Sequence, residues 1–423
     1  IKGTNIGTTT DENGIYEINV NGDVTLIFSY MGFKDYEVTT AGKTKIDVIL
    51  LEDNVRLEEV VVTGYNTVER RHLASSIESV DMERVVSRPI VKLEEAFAGT
   101  VPGVTMLQGS NLPGSVPGSI SIRGISTLQN AAPLVIVDGM EQPLTDVDPN
   151  QIKSINILKD AAAASMYGSR GANGVIIIET NRGTTGQFRV NVNSWFAIQN
   201  PLNLPKFVNS ADFMKLRNEA HTLQGQPLLY TDLDISQAEE GVTPNTDWMK
   251  EIIERQATAY NTTASISGGG GVGTFNLMLG YIEENGMNKI EGSDKFSARF
   301  NTNINIADRF ILLADFYAHR LKVDRLRRNN DGHGLYQIAW RMNPTQGVFY
   351  KDTDIPNHYI LHNDMNPVAF IDKGGTWNYM YDKSTINLRP RYYITDDLNF
   401  EGNVSYMIDK SASKWRRLTH KLF

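Results

Sequence analysis

Seven runs of alternating apolar and polar residues fill the chain from residue 184 onward, and they restrict its fold more than any other feature. The first run is 188–198, and similar runs recur at about 259–269, 272–284, 296–306, 309–320, 384–394 and 398–409. In the first run one face carries Phe188, Val190, Val192, Phe196 and Ile198, and the other carries Arg189, Asn191, Asn193 and Trp195. Strands of about ten residues with one apolar face are long enough to cross a membrane at a tilt.

The polar face of the fourth run is uniform and consists of Ser297, Arg299, Asn301, Asn303 and Asn305. A packed protein core would place apolar residues at such inward positions. We therefore expect the polar faces of these strands to line a wet lumen.

The gaps between the runs alternate in length. Long gaps fall at about 200–258, 285–295 and 321–383, whereas the short gaps are 270–271, 307–308 and 395–397. Successive antiparallel strands place odd and even gaps on opposite rims, so all long loops should lie on one side, as in outer-membrane barrels. We predict that residues 184–423 are the first strands of an incomplete antiparallel transmembrane β-barrel. Only about seven such strands are present, so the chain is interpreted as an N-terminal fragment of a longer protein.

Residues 71–183 have a mixed pattern that predicts a compact α+β domain. Short apolar runs predict strands at 104–108, 119–124, 134–139, 152–158 and 175–178. Helical spacing occurs at 80–86 and 93–98, and Gly99 stands where the second helix should end. Asp160 occupies an N-cap position before an Ala-rich turn that ends at Gly168. The continuous apolar run 134–137 predicts a strand covered on both faces.

The first 51 residues predict a small β-sandwich whose first strand is missing. Alternating runs at 14–20, 24–30, 36–38 and 45–50 are separated by turn residues. The segment 52–70 then changes character and contains a β-branched run at 57–65. That run has no evident hairpin partner nearby, so it could add as an edge strand to the sheet of another protein.

Composition excludes several kinds of function. The chain has 41 Lys and Arg against 49 Asp and Glu, a net charge of −8, so nucleic acid is not an expected partner. It has no cysteine, which excludes thiol catalysis and Cys-ligated zinc. His358 and His362 have a metal-ligand spacing but stand in a loop pattern, and 329–334 lacks the acids of a calcium loop. The segment 168–174 precedes a strand, unlike a phosphate-binding loop. We expect no enzyme activity, cofactor or metal site.

The segments 57–65 and 119–183 resemble those of SusC/RagA-like TonB-dependent outer-membrane transporters, and 1–51 resembles the carboxypeptidase regulatory-like domain that precedes many such plugs. The resemblance implies a regulatory-like domain at 1–51, a TonB-box segment and linker at 52–70, a plug domain at 71–183 and a truncated barrel at 184–423. The TonB box would be Glu58, Glu59, Val60, Val61, Val62, Thr63, Gly64 and Tyr65. The plug motif would comprise Arg123, Gly124, Asp138, Gly139, Lys159, Asp160, Tyr167, Gly168, Arg170, Gly171, Asn173 and Gly174.

The same resemblance implies active import of a glycan or peptide fragment across the bacterial outer membrane. The implied partners are a TonB-type energising protein, a SusD-like substrate-binding lipoprotein and outer-membrane lipid, with the plug and N-terminal domain facing the periplasm. Two alternatives remain open, a surface receptor or adhesin that uses the barrel as an anchor, and a signalling receptor of the same fold. We also hypothesise that Arg123, Asp138 and the Lys159–Asp160 pair form a buried polar network in the plug.

Overall fold

A computed structural model describes residues 1–4, 6–11, 14–20, 22–29, 36–50, 60–62, 67–69, 77–97, 99–107, 109–115, 118–124, 131–326, 334–350, 359–360, 366–395 and 398–416. The chain divides into two compact units, residues 1–74 and residues 75–423. Each unit is described by itself below.

The first unit contains two short hairpins. Strands β1 (Thr25–Phe28) and β2 (Tyr36–Thr39) pair antiparallel, and so do β3 (Val60–Val62) and β4 (Thr67–Glu69). The strands predicted at 14–20 and 45–50 are wrong, since neither segment joins a backbone ladder in the described part of the unit. Side-chain contacts position these segments instead. The Tyr16 hydroxyl donates a hydrogen bond to the Ile46 carbonyl at 2.9 Å, and the rings of Tyr16 and Phe28 pack in a T-shaped arrangement.

The second unit begins with a small α+β body, residues 77–182, which we call the inner unit. Its five-stranded sheet has the order β5-β10-β11-β8-β9, and only the β11–β8 pair is parallel. The strands are β5 (Ile77–Ser79), β8 (Leu134–Val137), β9 (Met140–Glu141), β10 (Ile152–Leu158) and β11 (Val175–Thr180). A separate hairpin pairs β6 (Val104–Leu107) with β7 (Ser119–Ile122). The helices are α1 (Met82–Val86) and α2 (Ala161–Ala164), and 3₁₀ turns occupy Leu93–Ala96, Leu144–Asp146, Pro149–Gln151 and Ser165–Gly171.

The apolar runs form the core of the inner unit. Ile155 and Ile157 from β10 and Ile176 and Ile178 from β11 are completely buried, together with Phe97. The expected coverage of β8 on both faces is confirmed, because three of its four residues are buried. Asp160 caps α2 as predicted, since its carboxylate accepts a hydrogen bond from the Ala163 amide at 2.8 Å.

The rest of the unit is a sheet of long antiparallel strands, which we call the wall. Its strands are β12 (Gly186–Gln199), β13 (Ala257–Gly270), β14 (Gly273–Asn285), β15 (Gly292–Ala307), β16 (Phe310–Leu326), β17 (Thr376–Tyr393), β18 (Asn399–Glu401) and β19 (Val404–Arg416). Each strand from β12 to β18 pairs with the next, and β19 also pairs with β17. Every predicted run is a strand, although the last run is divided between β18 and β19.

The predicted sorting of the connections is also confirmed. Segments 200–256, 286–291 and 327–375 join strands at one edge, the long-loop edge, whereas 271–272, 308–309 and 394–398 lie at the opposite short-turn edge. The long connections contain α3 (Ser210–Leu223), α4 (Asp232–Glu239), α5 (Trp248–Ile252), α6 (Leu335–Arg341) and α7 (Pro367–Lys373). Trp248, Ile252 and Ile371 bind α5, α6 and α7 together through a small apolar core. Among the helices of the described residues, none is long and apolar enough to span a membrane.

Candidate functional site

The candidate site is the boundary between the inner unit and the wall, and Asp138 stands at its centre. Asp138 and Gly139 form the two-residue turn of the β8–β9 hairpin, with φ angles of 49° and 82°. Positive φ at both positions is typical of the tight hairpin turn that Asp-Gly favours. Within the inner unit, the Asp138 carboxylate accepts hydrogen bonds from the Thr180 amide at 3.1 Å and the Thr180 hydroxyl at 2.6 Å.

The wall meets this turn with cationic and amide side chains. The Arg299 guanidinium of β15 lies 3.4 Å from the Asp138 carboxylate, and the Asn387 amide of β17 donates to the Asp138 carbonyl at 3.1 Å. Burial raises the pKa of Asp138, but the positive charges of Arg182 and Arg299 outweigh that effect and hold it below its usual value. Asp138 is therefore ionised at neutral pH and attached to the wall.

Arg182 extends the cluster from the end of the inner unit. Its guanidinium contacts both carboxylate oxygens of Asp315 in β16, at 2.7 and 2.8 Å, and lies 3.9 Å from Asp138. Arg389 of β17 reaches Asp315 at 3.0 Å. Three arginines thus surround two aspartates, and the side chains of both aspartates are less than a tenth exposed. Removal of one member of such a cluster would leave a buried charge without its counter-charge, which is strongly destabilising.

A second ionic contact lies nearer the middle of the wall. The Lys383 ammonium of β17 donates to the Asp146 carboxylate at 2.6 Å, and both side chains are buried. His319 of β16 lies 3.9 Å from the same carboxylate, and the Tyr317 hydroxyl donates to the Asp146 carbonyl. Asp146 is therefore the second carboxylate of the inner unit that is held by the wall.

Amide contacts fill the space between the two ionic clusters. Asn301 of β15 donates to the Thr180 hydroxyl at 2.7 Å and to the Asn181 carbonyl at 2.9 Å. Arg299 donates to the Gln151 side chain at 2.9 Å. Ser297, Arg299 and Asn301 are almost completely buried. The prediction that this face lines a wet lumen is therefore wrong for these residues, because the inner unit covers them with polar groups of its own.

The predicted polar network of the plug motif is not a single network. Asp138 alone reaches the wall, whereas Lys159 donates to Glu78 at 3.1 Å and to the Pro102 carbonyl at 2.6 Å. Asp160 caps α2. Arg123 is exposed at the end of β7, with a φ of 58°, and Gly124 is exposed beside it. The hypothesis joined residues that the topology separates, since β7 belongs to the small hairpin rather than to the five-stranded sheet.

The glycine-rich part of the motif packs the inner unit. Gly168 interrupts the 3₁₀ segment with φ 61° and ψ −150°. A Cβ on Gly171 would lie 2.7 Å from the Ala164 carbonyl, and one on Gly174 would lie 2.7 Å from the Ile122 side chain. Arg170 forms an ion pair with Glu141 of β9, and Tyr167 and Asn173 are half-buried. These contacts favour a structural role for the motif.

The predicted TonB box is only partly described. Val60, Val61 and Val62 form β3, whereas Glu58, Glu59, Thr63, Gly64 and Tyr65 lie outside the described residues. The expectation that this run lacks a nearby partner is wrong, because β3 pairs with β4, Val61 opposite Val68. A role of this segment in binding another protein stays a prediction.

Two features lie on the long-loop side of the Asp138 cluster, and the first of them adjoins Asp146. One is a cavity of about 260 Å³, lined by Glu94 and Asp146 of the inner unit and by Lys295, Tyr379 and Tyr381 of the wall. Burial raises the pKa of Glu94 above its ordinary value. The other is an inward-facing aromatic group at the end of β17. Trp377 stacks on Trp415 at a centroid distance of 5.4 Å and lies 5.8 Å from Tyr379.

Sequence reasoning missed the wall's contribution to this site. Asp315, Lys383 and Arg389 lie at inward positions of strands in which apolar and polar residues alternate. This pattern could have identified them as charged residues that face the inner unit. No group of three His, Asp or Glu residues that could hold a metal occurs among the described residues. His358 and His362, and 329–333 of the predicted loop at 329–334, lie outside them.

Comparison with known proteins gives consistent results. A model of the TonB-dependent Receptor Plug Domain matches residues 69–175, and one of the CarboxypepD_reg-like domain matches residues 1–62. TonB-dependent receptor P26 of Formosa agariphila is 33% identical, over 98% of this chain and 40% of its own. TonB-dependent receptor SusC of Bacteroides thetaiotaomicron is 30% identical, over 96% of this chain and 42% of its own. The chain thus spans about two-fifths of the length of these relatives.

A solved structure of the RagAB peptide importer in the 'open-open' state has the same fold. It superimposes with a TM-score of 0.70 at 22% identity, covering 84% of this chain and 43% of that one. The inner unit, the wall and their order along the chain therefore correspond to the plug and the first strands of a partial antiparallel barrel. Receptors of this type are outer-membrane proteins and not enzymes. The chain belongs to the SusC/RagA-like family of TonB-dependent receptors.

Proposed function

We propose that the full-length protein imports a nutrient, a glycan or peptide fragment, across the bacterial outer membrane. Residues 71–183 act as the plug and residues 184–423 as part of the barrel that the plug closes. A TonB-type energising protein binds residues 58–65 from the periplasm and pulls on the plug. The plug and the N-terminal domain at 1–51 face the periplasm, and 52–70 joins them.

The observation that carries the proposal is the polar character of the boundary between inner unit and wall. Asp138, Asp146 and Arg182 contact the wall through ion pairs and hydrogen bonds. The apolar core of the inner unit, by contrast, lies inside its own sheet and helices. A body with its own core and a polar surface can separate from the wall and exchange its contacts for water. An apolar boundary would bind the two bodies as one core.

The substrate would enter from the long-loop edge. The cavity beside Glu94, Tyr379 and Tyr381 and the aromatic pair Trp377–Trp415 lie on this side of the Asp138 cluster. Aromatic faces and hydroxyl groups suit the ring faces of a glycan or the side chains of a peptide. A SusD-like lipoprotein is the partner that would deliver such a substrate, by analogy with the RagAB importer and SusC.

Deletion of residues 58–64 in the full-length receptor tests the mechanism. We expect uptake of radiolabelled substrate to stop while binding to the cell surface persists, because the barrel and its cavity are unchanged. Immunoblotting of the outer-membrane fraction checks that the deletion variant is present there in the same amount as the wild type. Uptake that survives loss of residues 58–64 would refute TonB coupling through this segment.

A further inference from the structure

The outward surface of the wall carries three rows of side chains that run across neighbouring strands. The residues of each row stand opposite one another in the registers of β15, β16, β17 and β19. The first row consists of Phe296, Arg320, Asp382 and Lys410. The second consists of Ala298, Ala318, Ser384 and Ile408, and the third of Phe300, Phe316, Ile386 and Tyr406. These residues face outward, because their neighbours Arg299, His319 and Lys383 face the inner unit and strand side chains alternate.

The second row is a depression between the other two. Ala298, Ala318 and Ser384 are small and half-buried. Phe296, on the side toward the long-loop edge (above), is 52% exposed, and Phe316, on the side toward the short-turn edge (below), is 40% exposed. The result is an outward-facing groove with a volume of about 580 Å³. Ala298, Ala318 and Ser384 line its floor, Ile408 lines it on β19, and Arg320, Asp382 and Lys410 form its charged side.

The groove lies where the outward surface changes from apolar to charged. On β16, the outward residues Phe310, Leu312 and Phe316 precede the groove, and Arg320 and Lys322 follow it toward the long-loop edge. The change occurs at the same level on β19, where Tyr406 and Ile408 precede Lys410. In a membrane barrel, such a change marks the boundary between the hydrocarbon and the headgroups.

The charged row of the groove has a net positive charge. Arg320 forms a two-point ion pair with Asp382, at 2.6 and 2.9 Å, which neutralises that carboxylate. Lys410, opposite Asp382 in the register, adds one further positive charge. Lys322 lies farther toward the long-loop edge but stands opposite the outward Asp294 in the register, so it adds no net charge. A ligand for this groove therefore has an apolar part and, at one end, an anionic group.

We propose that the groove binds one molecule of a membrane lipid with a phosphate headgroup. An acyl chain lies over Ala318 between the rows of large residues, and the phosphate contacts Lys410 and Arg320. This proposal rests on the proposed placement of the protein in the outer membrane. The groove lies on the lipid-facing side of the wall, and the proposed transport path lies on the opposite, inward side.

Native mass spectrometry of the full-length receptor in mild detergent tests the proposal, with phosphatidylglycerol added at a fixed ratio as the probe. We expect the wild type to retain one phosphatidylglycerol. Lys410→Gln should reduce retention about fivefold, the effect of one cation beside an anionic headgroup. Ala318→Trp should abolish retention by filling the groove. Ala264→Trp is the matched control, because Ala264 is an outward alanine of β13 outside the groove, and it should retain the lipid.

Equal retention by the wild type, Ala318→Trp and Ala264→Trp would overturn the site, and equal retention of diacylglycerol would overturn the role of the phosphate. Fractionation of cells that express the wild type separates this result from failure of the proposed function. A receptor that is absent from the outer membrane would refute both proposals. A receptor that is present and active in uptake, but shows equal retention in all variants, would refute the lipid site alone.

Discussion

One guanidinium nitrogen of Arg182, Nη2, contacts both carboxylate oxygens of Asp315 across the boundary between the plug and the wall, with N–O distances of 2.7 and 2.8 Å. The pair joins the chain directly after the last plug strand to the middle of β16. Arg389 of β17 contacts the same carboxylate at 3.0 Å, so Asp315 receives a guanidinium from each side of the boundary. Hydrogen bonds between ionised groups are about twice as strong as those between neutral groups, so the two arginines hold Asp315 firmly.

We expect Asp315→Asn to lower the free energy of unfolding of the full-length receptor by about 3 to 5 kcal/mol, because two arginines lose their counter-charge in a buried site. Thermal or chemical unfolding in detergent, followed by tryptophan fluorescence, measures the change. Asp382→Asn is the matched control, because it removes an outward ion pair with Arg320 and should cost about 0 to 1 kcal/mol. Equal losses of unfolding free energy in the two variants would show that the buried ion pair of Asp315 stabilises the receptor no more than an outward pair.

Asp138 predicts how the stability of the receptor depends on acid. Its folded-state pKa lies below the usual value of 3.8 because of Arg182 and Arg299. A carboxyl with a depressed pKa contributes stability at pH values above its unfolded pKa, and this contribution is lost as the pH falls through the lower folded value. We expect the wild type to be more stable than Asp138→Asn at neutral pH, and the difference to narrow below pH 3.8.

Unfolding midpoints of both proteins, measured from neutral to strongly acidic pH, check this sign. A difference that stays constant as the pH falls through and below 3.8 would show that ionisation of Asp138 does not contribute. A difference that grows toward acid would reverse the assignment.

The sequence predicted the strands of the wall well, because alternation over ten or more residues specifies both the strand and its two faces. It could not predict what covers the inward face. Asn301 has the same place in the pattern whether it contacts water or the Thr180 hydroxyl, and only the fold of the plug decides between the two. The sequence therefore predicted water in the part of the lumen that the plug occupies.

Arg182 was missed for a related reason. It follows β11 in a segment without periodicity, and its partner Asp315 is 133 residues away. The strand predicted at 134–139 ends at Val137 instead, because Asp138 and Gly139 form the tight turn that this residue pair favours. The prediction of a network that joins Arg123 to Asp138 failed because β6 and β7 form a hairpin of their own, which no local pattern reveals.

Gly174 should be intolerant of a side chain. Its φ is 89°, and an added Cβ would lie 2.7 Å from the Ile122 side chain and 3.1 Å from the Leu158 carbonyl. We expect Gly174→Ala to destabilise the plug by about 2 to 4 kcal/mol through strain and overpacking together. Limited proteolysis of the full-length receptor measures this destabilisation, and cleavage between residues 131 and 182 should be faster in the variant than in the wild type.

Gly168→Ala provides the comparison for Gly174→Ala. Its φ of 61° is also positive, but no atom lies within 4 Å of an added Cβ. Only the backbone strain should remain, about 1 to 3 kcal/mol, because φ 61° with ψ −150° is a conformation almost restricted to glycine. Equal protection of the two variants from protease would show that contact with Ile122 does not matter, and a more severe effect at Gly168 would indicate a role that packing does not explain.

The pairing of β3 with β4 leads to a prediction about the TonB box. Main-chain hydrogen bonds provide the affinity when a strand adds to another protein's sheet, and proline removes one donor. We expect Val61→Pro to abolish both uptake and binding of the TonB-type protein, with binding measured by calorimetry. Thr67→Pro is the matched control, because Thr67 belongs to β4, the strand that pairs with β3, and stands opposite Val62. Because it weakens a pairing that must open before β3 can bind elsewhere, it should leave uptake intact and tighten the binding. Uptake that persists in Val61→Pro would refute the assignment of the box. Loss of binding in both variants would instead mean that the β3–β4 hairpin is recognised as a unit, without strand exchange.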